Sequence, residues 1–168
     1  LNAPNEVSTD PPQDQLQPLI NLYQQGQLQQ ALDNVKKLLL KFPISLPLYN
    51  IQGAANAGLC QFDAAIASYK QALKINPDYA NAYNNMGNAL KDKGDLEAAI
   101  DSYKNAIKIK QDYVQAHFNL GMLLLENDHY EQAAEHFKFN HENCKRYLLR
   151  CLYLQDKKSL FYDQLDYL

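Results

Sequence analysis

The chain has 168 residues, 46% of them hydrophobic and 21% charged, with a formal net charge of −3. That composition belongs to a folded chain long enough to bury a core. The acidic balance argues against a nucleic-acid surface, which needs a basic face. No apolar run reaches the ~18 residues of a membrane span, and no charged-then-apolar leader opens the chain. Three cysteines, Cys60, Cys144 and Cys151, are too few for a disulfide scaffold and suit a reducing cytoplasm. Leu1 stands where an initiator Met would, so the chain reads as a piece of something longer.

Residues 1–12 include Pro4, Pro11 and Pro12 and little apolar content, and they read as a disordered linker. Beyond them the sequence repeats itself at a shift of 34 residues. Gly53, Gly87 and Gly121 fall into register, as do Ala31, Ala65, Ala99 and Ala133, then Tyr69, Tyr103 and Phe137, then Tyr49, Tyr83 and His117. Four units follow, over residues 12–45, 46–79, 80–113 and 114–147, the last degenerate after 140. The first unit keeps its second helix clearly, but Leu19 stands where Gly is expected and Pro18 predicts a short first helix. In the second, Asn76-Pro77-Asp78 ends the second helix. In the third, Tyr83, Met86, Gly87 and Leu90 form one stripe of an amphipathic helix. Gly94 then stops that helix and Asp95 caps the next. Each unit is therefore a helix–turn–helix hairpin that must stack on its neighbours to bury both apolar faces. Gly at position 8 and Ala at position 20 of each unit allow close helix approach. The aromatic at position 24 is expected to fill the space between neighbouring hairpins. After residue 140, Tyr147, Leu148, Cys151, Leu152 and Leu154 predict one helix. The polar residues 156–159 predict a break, and Leu160, Phe161, Leu165 and Leu168 a second, short helix.

The pattern resembles the tetratricopeptide repeat: aromatic at 4, Leu-Gly at 7 and 8, Ala at 20, aromatic at 24, Ala at 27 and Pro at 32. The third unit matches with Tyr83, Met86, Gly87, Leu90, Ala99, Tyr103 and Ala106, and departs with Gln111 in place of Pro. The resemblance implies an all-α, right-handed superhelical solenoid over residues 13–140, with extra C-terminal helices over 141–168 acting as a cap or beginning a further domain.

No Gly-rich phosphate loop, metalloprotease His-Glu pair or nucleophile elbow is present, so no enzyme activity and no cofactor is expected. His136, His141 and Cys144 match no zinc spacing and lack a fourth ligand, and Cys144 with Cys151 reads as core packing. His117 reads as a helix-packing side chain.

The remaining candidate surface is the inner face of the first helices, positions 2, 5, 6, 9, 12 and 13 of each unit. It carries Pro47, Asn50, Ile51, Ala54, Ala57 and Gly58 in the second unit, Asn81, Asn84, Asn85, Asn88, Lys91 and Asp92 in the third, and Gln115, Phe118, Asn119, Met122, Leu125 and Glu126 in the fourth. The groove is amide-rich and more apolar toward the fourth unit. Carboxamides both donate and accept, so they can pair with a peptide backbone. The alternative is that these asparagines belong to the generic repeat and solvate an exposed face. Asn85 and Asn119, one repeat apart at position 6, resemble the asparagine ladder in the repeats of O-linked N-acetylglucosamine transferase, which implies a grip on an extended polypeptide main chain. Chaperone-binding repeat domains clamp a carboxylate with Lys at positions 5 and 2 and Arg at 6. Here those positions hold Asn50, Asn84, Gln115 and Asn119, so that reading is set aside.

Three readings stay open. One is a non-catalytic scaffold that binds a peptide through Asn50, Asn81, Asn84, Asn85, Asn88, Lys91, Gln115, Asn119 and Met122. Another is the substrate-recruiting arm of a larger transferase or oxygenase, as similar bacterial arrays imply. The third is a homo-oligomer assembled through Phe161, Tyr162, Leu165 and Leu168.

Overall fold

The computed structural model describes residues 9–165, with side chains described over 9–139 and 144–156. Among the described residues the architecture is helical throughout. The helices are α1 (Gln13–Gln24), α2 (Leu28–Leu39), α3 (Leu46–Gly58), α4 (Phe62–Ile75), α5 (Ala80–Lys93), α6 (Leu96–Ile109), α7 (Val114–Glu126) and α8 (Tyr130–Phe137). A single 3-10 turn over Lys138–Asn140 leads into α9 (His141–Leu165). Consecutive helices pack as hairpins, and each hairpin packs on the next through α2–α3, α4–α5, α6–α7 and α8–α9. The first helices also touch one another in the order α1, α3, α5, α7, which puts them on the inner side of the stack. Among the described residues, no helix is long and apolar enough to cross a membrane.

The turn chemistry follows the sequence. Gly94 closes α5 in the left-handed conformation at φ 94°, and the Asp95 side chain accepts from the Ala98 amide to start α6. The Asn76 side chain accepts from the Asp78 amide, making the turn after α4. Position 15 is left-handed in all four hairpins: Gly26 (φ 74°), Cys60 (φ 57°), Gly94 (φ 94°) and Asp128 (φ 62°). Asp tolerates this region and Gly prefers it, whereas a Cys side chain there crowds its own backbone. Cys60→Gly should therefore stabilise the chain by ~0.5–1 kcal/mol after the extra freedom of the unfolded glycine is deducted. Thermal unfolding checks this, the expected result being a small upward shift.

The glycines at position 8 and the aromatics at position 24 are partners inside one hairpin. A Cβ on Gly53 would lie 2.5 Å from the Tyr69 ring, one on Gly87 2.6 Å from Tyr103, and one on Gly121 2.8 Å from Phe137. This corrects the expectation that the aromatic fills the space between hairpins: the ring lies on the glycine of its own first helix. Tyr69, Tyr103 and Phe137 are almost wholly buried. The first hairpin solves the same packing problem with the volumes reversed. Its position 8 is Leu19 and its position 24 is Val35, both buried in one small cluster with Leu48. A large residue beneath a small one replaces a glycine beneath a ring, so the space between the two helices is still filled.

Two further expectations change. Pro18 does not shorten the first helix; α1 runs for 12 residues with Pro18 inside it. Proline forgoes one backbone bond, here on an exposed side of the helix, and the rest of the ladder forms around it. Residues 156–159 are not a break either, because α9 continues through them. Asp-Lys-Lys-Ser contains neither Gly nor Pro, and a polar stretch without them does not stop a helix. Phe161, Tyr162 and Leu165 lie on the last turns of α9, where only the backbone is described, and Leu168 lies outside the described residues. Leu149, Leu152 and Tyr153 are exposed on α9, while Cys144 and Cys151 are buried against α7 and α8 as core residues.

Candidate functional site

The inner helices place the asparagines side by side, and these amides first of all bond to one another. Asn85 Nδ2 donates to Asn50 Oδ1 at 2.9 Å, and Asn119 Nδ2 donates to Asn84 Oδ1 at 3.0 Å. Both pairs join position 5 of one unit to position 6 of the next, 35 residues apart. Asn84 Nδ2 donates to Asn85 Oδ1 at 3.3 Å, linking the two steps. Asn119 Nδ2 also reaches Asn88 Oδ1 at 3.1 Å, and that oxygen accepts the Tyr103 hydroxyl at 2.8 Å. A continuous amide ladder thus runs across three repeats and ends on the ring that fills Gly87. At the fourth unit position 5 is Phe118, whose ring meets Tyr147 of α9 edge-on at 5.6 Å. Helix α9 therefore takes the place that the first helix of a following repeat would hold.

These contacts sort the candidate residues. Asn84 is buried, so it is a repeat-to-repeat lock. Asn50, Asn85, Asn88 and Asn119 are half-buried members of the ladder. Asn81 is exposed and accepts the Tyr113 hydroxyl at 2.8 Å. Gln115 is exposed, and Lys91 is exposed with its ammonium 3.8 Å from Asp92. Met122 and Phe118 pack against the core, so the apolar end of the groove is largely occupied by the protein itself.

The open part of the inner face lies further toward the N-terminus. A cleft of about 280 Å³ is bounded by Tyr23 of α1, by Ala54, Ala57 and Gly58 of α3, by Tyr69 of α4, and by Asn85, Asn88, Ala89 and Asp92 of α5. Positions 9, 12 and 13 of the second unit are all small; Leu28 Cδ1 fills the space beside Gly58, 2.6 Å from where a Cβ would lie, and the cleft opens beside Ala54 and Ala57. Asn88 enters it with its oxygen already accepting two bonds, so what it has left to offer is amide hydrogens. Asp92, one turn along α5, offers only acceptors. Tyr23 and Tyr69 were not among the expected site residues. The periodicity of one helix cannot reveal a wall supplied by the preceding hairpin and by the buried second helix.

A second polar cluster sits at the junction with α9. His117 is buried, its ring stacked on Phe139 at 3.9 Å, with Nε2 3.0 Å from the Gln111 carbonyl and Nδ1 3.0 Å from His136 Nδ1. The carbonyl fixes the hydrogen on His117 Nε2, which leaves its Nδ1 as acceptor and His136 Nδ1 as donor. Burial, then His117 and Lys104, push the His136 imidazole below its usual range, while Glu135 opposes them. The neutral His136 imidazole stabilises the fold above the ordinary imidazole range, and that contribution is lost as pH falls through its lower folded value. Among the described residues no group of three or more His, Cys, Asp or Glu side chains could hold a metal ion.

Stacked hairpins locked by glycine–ring pairs and an amide ladder, with their open cleft on the inner face, define a helical-repeat solenoid. The TPR repeat family model matches residues 61–94 and 87–128. The hairpins over residues 61–128 are therefore tetratricopeptide repeats, a fold that serves protein–protein interaction scaffolds. No curated protein matches the chain. Among solved structures, a crystal structure of MamA is 25% identical, covers 93% of this chain and 82% of its own, and has a TM-score of 0.68. TTC0263, a thermophilic TPR protein in Thermus thermophilus, is 20% identical over 82% of this chain and 79% of its own, with a TM-score of 0.73. The first TPR domain of human RPAP3 is 22% identical over 65% of this chain and 86% of its own, at a TM-score of 0.63.

Proposed function

We propose that the chain is a non-catalytic scaffold that binds an extended segment of a partner protein on its inner face, around Asn85, Asn88 and Asp92. The observation that carries this reading is the state of Asn88. Two donors on its oxygen hold the carboxamide in one orientation, so its amide hydrogens are fixed donors beside an open cleft. An extended main chain presents carbonyls to such donors, and its N–H groups suit the carboxylate of Asp92 one turn away. Asn50, Asn81, Lys91, Gln115, Asn119 and Met122 flank this centre or hold it, and each main-chain bond is worth only ~0.5–1.5 kcal/mol, so several must act together. Three free thiols, two of them buried, suit a reducing cytoplasm for this work.

The test is Asn88→Asp. A carboxylate keeps both acceptor bonds, to Tyr103 and Asn119, and removes only the donors. Peptides selected from a random display library on the whole chain should bind the variant ~5-fold more weakly, the equivalent of one hydrogen bond. Fluorescence anisotropy in ~1 M salt, where the added charge is screened, gives the comparison. Unchanged affinity of every selected peptide removes Asn88 from the binding surface.

A further inference from the structure

The cleft is unlike the rest of the inner face. In the third unit positions 9, 12 and 13 carry Asn88, Lys91 and Asp92, and in the fourth Met122, Leu125 and Glu126. In the second unit they are Ala54, Ala57 and Gly58; Leu28 fills the space beside Gly58, and a side-chain-sized hollow of about 280 Å³ opens beside the two alanines. Of its lining, Ala89 is buried and Ala54 and Ala57 are half-buried, whereas Tyr23 and Asp92 are exposed. One formal charge lines it, the Asp92 carboxylate, and no cation does. The ammonium of Lys91 approaches Asp92 only at 3.8 Å, with both side chains about half exposed, which is too loose a pair to cancel the charge. Glu126 repeats the carboxylate one unit on, and the Tyr103 phenol, raised first by its burial, is raised further by both acids. The field along this side of the groove is therefore negative.

Resting on the reading that the groove binds a partner segment, we infer that this hollow is an anchor pocket for a basic side chain, arginine or lysine, of that segment. The chemistry of the lining selects it. Long cationic side chains bury a methylene stem and keep the charged head at a polar rim, and the burial of the lining suits that order: alanines buried or half-buried, Asp92 exposed. Tyr23 adds an aromatic face for a cation. An acidic side chain would meet Asp92 with no counter-charge in the cleft. A purely apolar one would strip water from that carboxylate without pairing it. The same contrast explains Tyr69. In the third unit Asn88 accepts the Tyr103 hydroxyl, whereas in the second Ala54 offers Tyr69 no acceptor and leaves the volume open.

The experiment uses the whole chain and four amidated peptides, Gly-Ser-Ala-Xaa-Ala-Ser-Gly, with Xaa arginine, lysine, leucine or glutamate, titrated to millimolar concentration and followed by backbone amide chemical shifts. The arginine and lysine peptides should bind at least ~5-fold more tightly than the other two. Asp92→Asn should erase that preference. Ala54→Asn imports the residue that the third unit carries at this position, can accept the Tyr69 hydroxyl and fills the hollow. It should weaken only the basic peptides while the fold holds. If all four peptides bind equally and shift Ala57 and Asn88, the groove binds but the basic anchor is wrong. The anchor is equally overturned if the basic preference survives Asp92→Asn. If no peptide shifts any inner-face amide, the groove reading falls and the anchor with it.

Discussion

Gly87→Leu should lower the stability of the chain by ~1–3 kcal/mol, a drop of about 2–12 °C in the thermal midpoint. The first added carbon alone would lie 2.6 Å from the Tyr103 ring. That ring has no exposed surface to swing toward, and its hydroxyl is tied to Asn88 at 2.8 Å. The gain in helix propensity from removing a glycine, ~1 kcal/mol, is smaller than this overpacking. The first hairpin also predicts the remedy. Leu19 over Val35 is the same contact with its volumes exchanged, so Gly87→Leu combined with Tyr103→Val should recover at least half of the loss. Each single change is destabilising by itself, and the pair should be strongly non-additive. Additive losses in a double-mutant cycle would show that positions 8 and 24 are not one packing unit.

Phe137→Ala should cost ~3–5 kcal/mol and release α9 in particular. Phe137 is fully buried, its ring covers Gly121, and it lies 5.4 Å from Tyr147 and 6.2 Å from Phe118. Those three rings, one each from α7, α8 and α9, hold the last helix where the first helix of a further repeat would stand. Deleting the middle ring leaves a cavity where all three elements meet. Hydrogen exchange measures the consequence: amides over residues 144–156 should lose protection by a larger factor than those of α5. Equal loss in both would mean that α9 is held by other contacts.

The architecture was legible from the 34-residue register because each hairpin needs the same small residues at the same places, and a repeated steric demand leaves a repeated residue. Turn chemistry was equally local: Gly94 and Asp95 act within four residues of themselves. What the helical wheel could not give was the identity of the neighbour. It placed Tyr103 on an apolar stripe without saying that Gly87, in the same hairpin, lies beneath it. It placed Asn84 and Asn85 on the inner arc, but whether a residue there faces a ligand or the next repeat depends on the offset between helices. The signal was present in the spacing, since Asn50–Asn85 and Asn84–Asn119 are both 35 apart, one more than the repeat. The cleft was legible only in part. Ala54, Ala57 and Gly58 were visible as small residues on the inner arc, while Tyr23 enters from a hairpin whose first helix departs from the repeat pattern. The Asp156–Ser159 stretch was misread because polarity was taken for a stop, and a helix stops on backbone chemistry.

A partner segment on the inner face would lie at the Asn88–Asp92 cleft. The most direct measurement follows the side-chain amide resonances of Asn85 and Asn88 while a display-selected peptide is added to the whole chain. Both should shift together with the backbone amides of Ala54, Ala57 and Asp92, while the outward positions of α4 and α6 stay still. Shifts confined to α4, α6 or the outer face of α9, with Asn88 unmoved, would contradict that placement.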